Sequence, residues 1–205
     1  MAINRNVAVV APVAGVLLGS LDFVWIKFVP APFGGLGNSL AVWAVAAFLL
    51  TFRSRWTLPI GLLGAIVCLV VAVPSYYLAA TLIQNDDLSN AYDGNALLWM
   101  ALGVVAGSVF GAAGSLARSP GRLQAAALAM PGAVLFAEAV IQALRIGDPS
   151  YGGAGQISYT VVLVALGVAI TLLVARSWPR RVLALLIALP LTAVGYALLS
   201  VVGFR

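Results

Sequence analysis

Between Trp56 and Leu82 the chain runs for 27 residues without one charged side chain. A helix of that length, rising about 1.5 Å per residue, crosses the roughly 30 Å hydrocarbon core of a bilayer. The run therefore reads as a membrane span, and six more follow the same logic. They cover about Val7 to Phe28, Gly34 to Phe52 (short, with Trp43 in its middle), Ala96 to Ala117, Leu123 to Leu144, a stretch ending at Ala175, and Val182 to Phe204. Only 8% of the chain is charged and 63% is hydrophobic, with mean hydropathy +1.09. Soluble chains carry about 25% charged residues. The expected fold class is all-α: a polytopic membrane helix bundle of about seven transmembrane helices forming one domain over 1–205. A cleaved signal peptide is not expected, because no small-x-small site opens onto a polar region after the first span.

Short basic turns separate the spans. Arg53-Ser54-Arg55, Arg118-Ser119 with Arg122, and Arg176-Ser177 with Arg180 and Arg181 each follow an apolar run. The Arg-Ser pairs stand 65 (118 − 53) and 58 (176 − 118) residues apart. This spacing suggests an internal repeat: a lead helix, 7–28, and three helical hairpins, 34–82, 96–145 and 152–204. Orientation follows from charge. If the three turns and Arg5 share the cytoplasmic face, eight basic residues lie there against Lys27, Arg145 and Arg205 outside. Asp86, Asp87, Asp93 and Asp148 then fall outside as well, in a multi-pass protein of the inner (plasma) membrane with a cytoplasmic N-terminus. Trp56 and Trp178 suit the inner aromatic belt; Trp25, Tyr92, Trp99 and Tyr151 suit the outer one. The net charge of +5 is accounted for by these turns, so no nucleic-acid partner is expected.

Histidine is absent, which removes Ser-His-Asp triads, imidazole bases, His-ligated zinc and ordinary haem ligation together. Cys68 is the sole cysteine and excludes a disulfide within the chain. There is no Walker loop, and Lys27 is the only lysine.

Chemistry is then confined to a few residues. A carboxylate inside a span costs roughly 2.5 kcal/mol or more and marks a functional site or a buried partner by default. Glu138 lies 15 residues past Leu123, about 22 Å from the inner face, and Asp22 lies as far past Val7. Two carboxylates at one level suggest an outward-facing pocket for a cation or polar group, or a proton relay. The alternatives are an interfacial Asp22 beside Lys27, and a Glu138 hydrogen-bonded to a neighbouring helix. Tyr76 and Tyr77 could wall such a pocket or sit in the outer belt; Trp43 and Trp99 are further ligand-binding candidates. Asn85, Asp86, Ser89 and Asp93 have the N-D-x-x-S-x-x-x-D spacing of a magnesium-diphosphate motif, a weak indication of Mg2+ beside the simpler reading of a solvated acidic loop. Gly103, Gly107 and Gly111, with Gly114 behind them, form a small-residue stripe suited to close helix packing.

The segments LGNSLAVW (Leu36 to Trp43), Tyr76-Tyr77, WMALGVVAGSVFGAAG (Trp99 to Gly114) and Ala137-Glu138 together resemble a family of small actinobacterial multi-pass membrane proteins, a domain of unknown function. That resemblance implies location and fold. Pro131-Gly132-Ala133, Leu135, Ala137-Glu138, Val140 and Ala143-Leu144 resemble a segment of the thiamin-precursor substrate-binding subunits of energy-coupling-factor importers. This second resemblance implies a ligand contact at Glu138 and an importer ATPase as partner.

Three functions follow as expectations. The first is binding or transport of a small molecule through a pocket around Glu138. The second is a membrane-embedded enzyme acting on an isoprenoid or lipid, with Glu138 or Asp22 as general acid. The third is a structural membrane protein. An aqueous outward vestibule would favour the first, a deep apolar cleft ending at a carboxylate the second, and a packed interior the third.

Overall fold

The computed structural model describes residues 3–148 and 153–201. Among them lie seven α-helices and no strand: α1 (Ile3–Phe28), α2 (Leu40–Ser54), α3 (Leu58–Gln84), α4 (Gly94–Leu116), α5 (Gln124–Leu144), α6 (Gly153–Val174) and α7 (Trp178–Val201). Six are long and apolar enough to cross a membrane. Tyr151 and Arg205 lie outside the described residues, as do positions 202–204 of the last expected span.

The exception is α2, of only 15 residues. The span expected over 34–52 divides in two: Phe33–Asn38 is a 3-10 helix, and the α-helix starts after Ser39. The sequence accounts for the break. Pro30, Pro32, Gly34, Gly35 and Gly37 are poor helix formers, while Ser39 is a good N-cap. The Ser39 hydroxyl accepts from Val42 N at 3.1 Å. Elsewhere the ends follow the usual local chemistry. Arg55 and Asn85 close α2 and α3 in the left-handed conformation, at φ 53° and 58°. Asp93 opens α4 by accepting from Ala96 N at 2.7 Å.

The helices form two halves. In one, α3 packs between α1 and α4; in the other, α5 packs between α6 and α7; the short α2 touches α3, α4 and α5 and joins the halves. Helices linked by an Arg-Ser turn are thus not each other's main partners. Small residues permit the close approaches. Gly103 and Gly107 lie against α3 at Leu69 and Ile66, Gly111 against Ala65, and Gly114 against Thr51 and Phe48 of α2. The α4 stripe is consumed inside this bundle.

The Arg-Ser turns gather at one end, around a core of Phe48, Ala117, Ala127, Ala175 and Ala184. Arg118 Nη2 donates to the Trp56 carbonyl at 2.6 Å, tying the first turn to the second. Trp56 therefore departs from its expected belt position: it is buried, its ring covering Gly64. At the opposite end Lys27 Nζ donates to Gln84 Oε1 at 3.2 Å, joining α1 to α3.

Candidate functional site

Because α2 is short and α4 does not pack extensively on α7, the two halves leave a cleft between them. It encloses about 590 Å³, within the range of small-molecule sites. Its walls come from α3 and α4 on one side and α5 and α7 on the other, with α2 as the floor. Val105 and Val109 of α4 and Val194 and Leu198 of α7 line it and are also exposed on the outer surface. The cleft thus opens sideways, between two helices that lie in the membrane.

Most of the lining is aliphatic, but one end is not. Asp22, Asn38, Ser39, Trp43, Tyr76 and Tyr77 meet there, with Trp99 beside them. Each is placed by a different local cause. Asn38 and Ser39 belong to the break before α2, and Trp43 lies one turn into that helix. Tyr76 is braced edge-to-face by Phe23 (5.4 Å between ring centroids, 82°) and by Tyr77 (5.5 Å, 87°). Asp22 is 7% exposed, and the Trp43 side chain lies beside its carboxyl. Lys27 is turned to Gln84, so the pairing with Asp22 that the sequence suggested is not formed. Asp22 and Gly37 also line a second cavity of about 350 Å³, on the far side of α2, walled by residues such as Leu18, Val45 and Leu166.

Five of the six ligand-binding candidates read from the sequence therefore line one cleft: Asp22, Trp43, Tyr76, Tyr77 and Trp99. Glu138 does not. It is buried and does not line the cleft, whose acidic side chain among the described residues is Asp22. The reason is its set of partners. Glu138 Oε2 accepts from Ser39 Oγ at 2.8 Å and from Ala41 N at 2.9 Å, and Oε1 lies 2.9 Å from the Tyr159 hydroxyl. Ala41 N is one of the backbone donors that a helix start leaves unpaired, and negative charge is favoured at that end of the helix. Glu138 thus caps α2 from another helix, and through Ser39 it reaches the cleft wall.

The Tyr159 hydroxyl is also 2.9 Å from the Gly35 carbonyl. Its single proton serves only one acceptor. All partners are satisfied when a further proton lies between Glu138 Oε1 and Tyr159, which then donates to Gly35. Sequence reasoning missed Ser39, Gly35 and Tyr159. Ser39 was legible as a cap preceding an apolar run; nothing local marks Tyr159 on α6.

The proposed magnesium motif is not assembled. Asn85 ends α3, and Asp86 Oδ2 accepts from Gln84 Nε2 at 2.7 Å. Asp93 caps α4, while Ser89 donates its backbone N–H to Asp87. Those bonds from Ser89 hold the Asp87 carboxyl below its ordinary range. The intended ligands lie on a turn between two helices rather than on one helical face. No group of three metal-ligating side chains occurs among the described residues.

The arrangement can hold an elongated molecule with an apolar body along α4 and α7 and a polar end at Asp22. No curated protein and no solved structure matches the chain. A family model does match, over residues 2–203, and by that near-complete coverage the chain belongs to the family of unknown function DUF6518.

Proposed function

We propose that this integral membrane protein binds an amphipathic small molecule taken laterally from the bilayer, with its polar end at Asp22, Asn38 and Trp43. The observation that carries the reading is the cleft itself: apolar along its length, with exposed walls on α4 and α7, and with the polar side chains among its described lining gathered toward one end. The arginine-rich end faces the cytoplasm of a plasma membrane in this reading, which puts the polar end of the cleft in the outer half of the bilayer. Cysteines placed at Ser119 and Asn90 should then react with an impermeant thiol reagent from opposite sides of intact cells. Labelling of both from one side would reverse the seven-helix topology.

Binding is tested by photolabelling the protein in nanodiscs with a neutral, diazirine-bearing long-chain alkyl amide. Adducts at Leu102, Ala106 and Leu191 should saturate and be competed by unlabelled amide. Adducts at Leu173, 80% exposed on the outer surface, should rise without limit. Val194→Trp, which fills the mouth of the cleft, should weaken the saturable component about ten-fold, equivalent to roughly 1.4 kcal/mol. If cleft positions saturate no more than Leu173, the site does not bind.

One observation favours a second reading, a membrane-embedded enzyme acting on a lipid or isoprenoid. The cleft ends on a carboxylate rather than in an aqueous vestibule, and Asp22 would be its general acid. Glu138, walled off behind Ser39, is not placed to touch a substrate in the cleft.

A further inference from the structure

The polar end of the cleft has a composition that selects among amphiphiles. Among the described residues Asp22 is the only acidic side chain lining it, and no Lys or Arg lines it. Trp43, Tyr76, Tyr77 and Trp99 line the same end. Among the described residues no cation is paired with Asp22; the side chain that reaches it is that of Trp43, a neutral donor. The nearest basic residue in sequence, Lys27, is engaged with Gln84. A buried acid without a cation, among aromatic rings, suits a ligand that brings the positive charge. Aromatic faces attract cations by their quadrupole, more strongly when water is excluded. The opposite charge of a ligand would repay the desolvation of a carboxylate that the protein itself leaves unpaired.

Resting on the binding reading above, we propose that the ligand is a lipophilic organic cation, an amine or quaternary ammonium on an apolar body, with Asp22 as its counter-ion. The aromatic residues have distinct parts in this. Tyr76 is held rigid by Phe23 and Tyr77, so its ring is positioned before the ligand arrives. Trp43 brings a neutral donor beside the Asp22 carboxyl. The aliphatic walls toward Leu191 and Val109 then take the apolar body. An anion of equal size would meet the carboxylate with no basic side chain lining the cleft to offset it.

The test compares two ions of one shape and opposite charge, tetraphenylphosphonium and tetraphenylborate. Saturable binding to the full chain in nanodiscs is measured by equilibrium dialysis, with empty nanodiscs subtracted. The phosphonium should bind saturably and the borate should not. Asp22→Asn, which keeps an acceptor for Trp43, should weaken phosphonium binding about ten-fold, and Asp22→Glu should restore most of it. Binding of the neutral alkyl amide, which brings no charge to Asp22, should fall less in Asp22→Asn than binding of the phosphonium does. Equal binding of the two ions, or phosphonium binding unchanged in Asp22→Asn, overturns the cation assignment. If the amide still labels the cleft saturably in that case, the binding reading survives alone; if the amide also fails, both fall. Thermal unfolding of Asp22→Asn within a few degrees of wild type shows that its loss of binding is not loss of fold. Should Asp22→Asn prove unstable, the wild-type comparison of the two ions decides by itself.

Discussion

Replacing Glu138 by leucine should destabilise the protein by about 3 kcal/mol, because it removes the buried partner of Ser39, Ala41 and Tyr159 at once. Ser39 and Tyr159 can turn to other acceptors, but Ala41 N cannot: it is fixed in the first turn of α2, and Glu138 Oε2 is its partner. An unpaired buried backbone donor costs on the order of 1–3 kcal/mol, and water is not at hand to replace the bond. Glu138→Gln should behave very differently, losing less than about 1 kcal/mol. The amide oxygen accepts from Ser39 and Ala41, and the amide nitrogen donates to Tyr159, whose proton goes to Gly35. That assignment serves Ser39, Ala41 and Tyr159 as the protonated acid does, and leaves over one of the two amide N–H groups. Tyr159→Phe should fall between them, at about 1 kcal/mol. Denaturant unfolding in one detergent, read by circular dichroism, gives the order Leu, Phe, Gln from most to least damaging. A Glu138→Leu protein as stable as wild type would show that the cap contributes nothing.

The second large effect is expected where α1 and α4 pack on α3. A methyl group added at Gly107 would come 2.7 Å from the Ile66 Cα and 2.8 Å from its nitrogen. One added at Gly19 of α1 would overlap the carbonyl of Ala72, also on α3. In both cases the obstacle is backbone, which cannot step aside as a side-chain tip can. Gly107→Ala and Gly19→Ala should each cost about 1–3 kcal/mol through forced separation of helices, despite the gain in helix propensity. Gly94→Ala is the control, since nothing lies within 4 Å of a methyl group there. It should be neutral or slightly stabilising. Equal melting temperatures for all three variants would mean that α1 and α4 are not held against α3 at these distances.

How far the sequence carried can be seen in α2 and α3. The run over α3 is uniformly apolar, and its length alone identifies it as a span. Hydropathy taken over a whole span blurs the Gly, Asn and Ser of the stretch around Leu36 to Trp43 into the apolar run that follows them. The break before Ser39 is a matter of backbone geometry, set by prolines and glycines, and hydropathy averages over it. The basic turns reported where the chain returns to one face, but turn chemistry says nothing of which helices then pack together. Hence the halves built on α3 and α5 could not be read. The sequence marked Asp22, Tyr76, Tyr77, Trp43 and Trp99 singly, as costly or bulky in a span, but not that they would line one cleft, which depends on how the helices pack. The two alternatives for Glu138, a pocket or a bond to a neighbouring helix, could not be separated because depth was estimated along each helix separately. Depth does not tell a side chain that faces a cleft from one that faces another helix end.

The cap on α2 also has a bearing on how the molecule comes into being. The acceptor for Ala41 N is 97 residues further along the chain, on a helix separated from α2 by two full spans. Until α5 has been synthesised and has entered the bilayer, the start of α2 has no side chain from that helix to complete it. An N-terminal fragment comprising α1 to α4 would contain every residue of one half of the protein and still expose bare amides to lipid. The two halves are therefore separable in space but not in time: the first is finished by a carboxylate that belongs to the second.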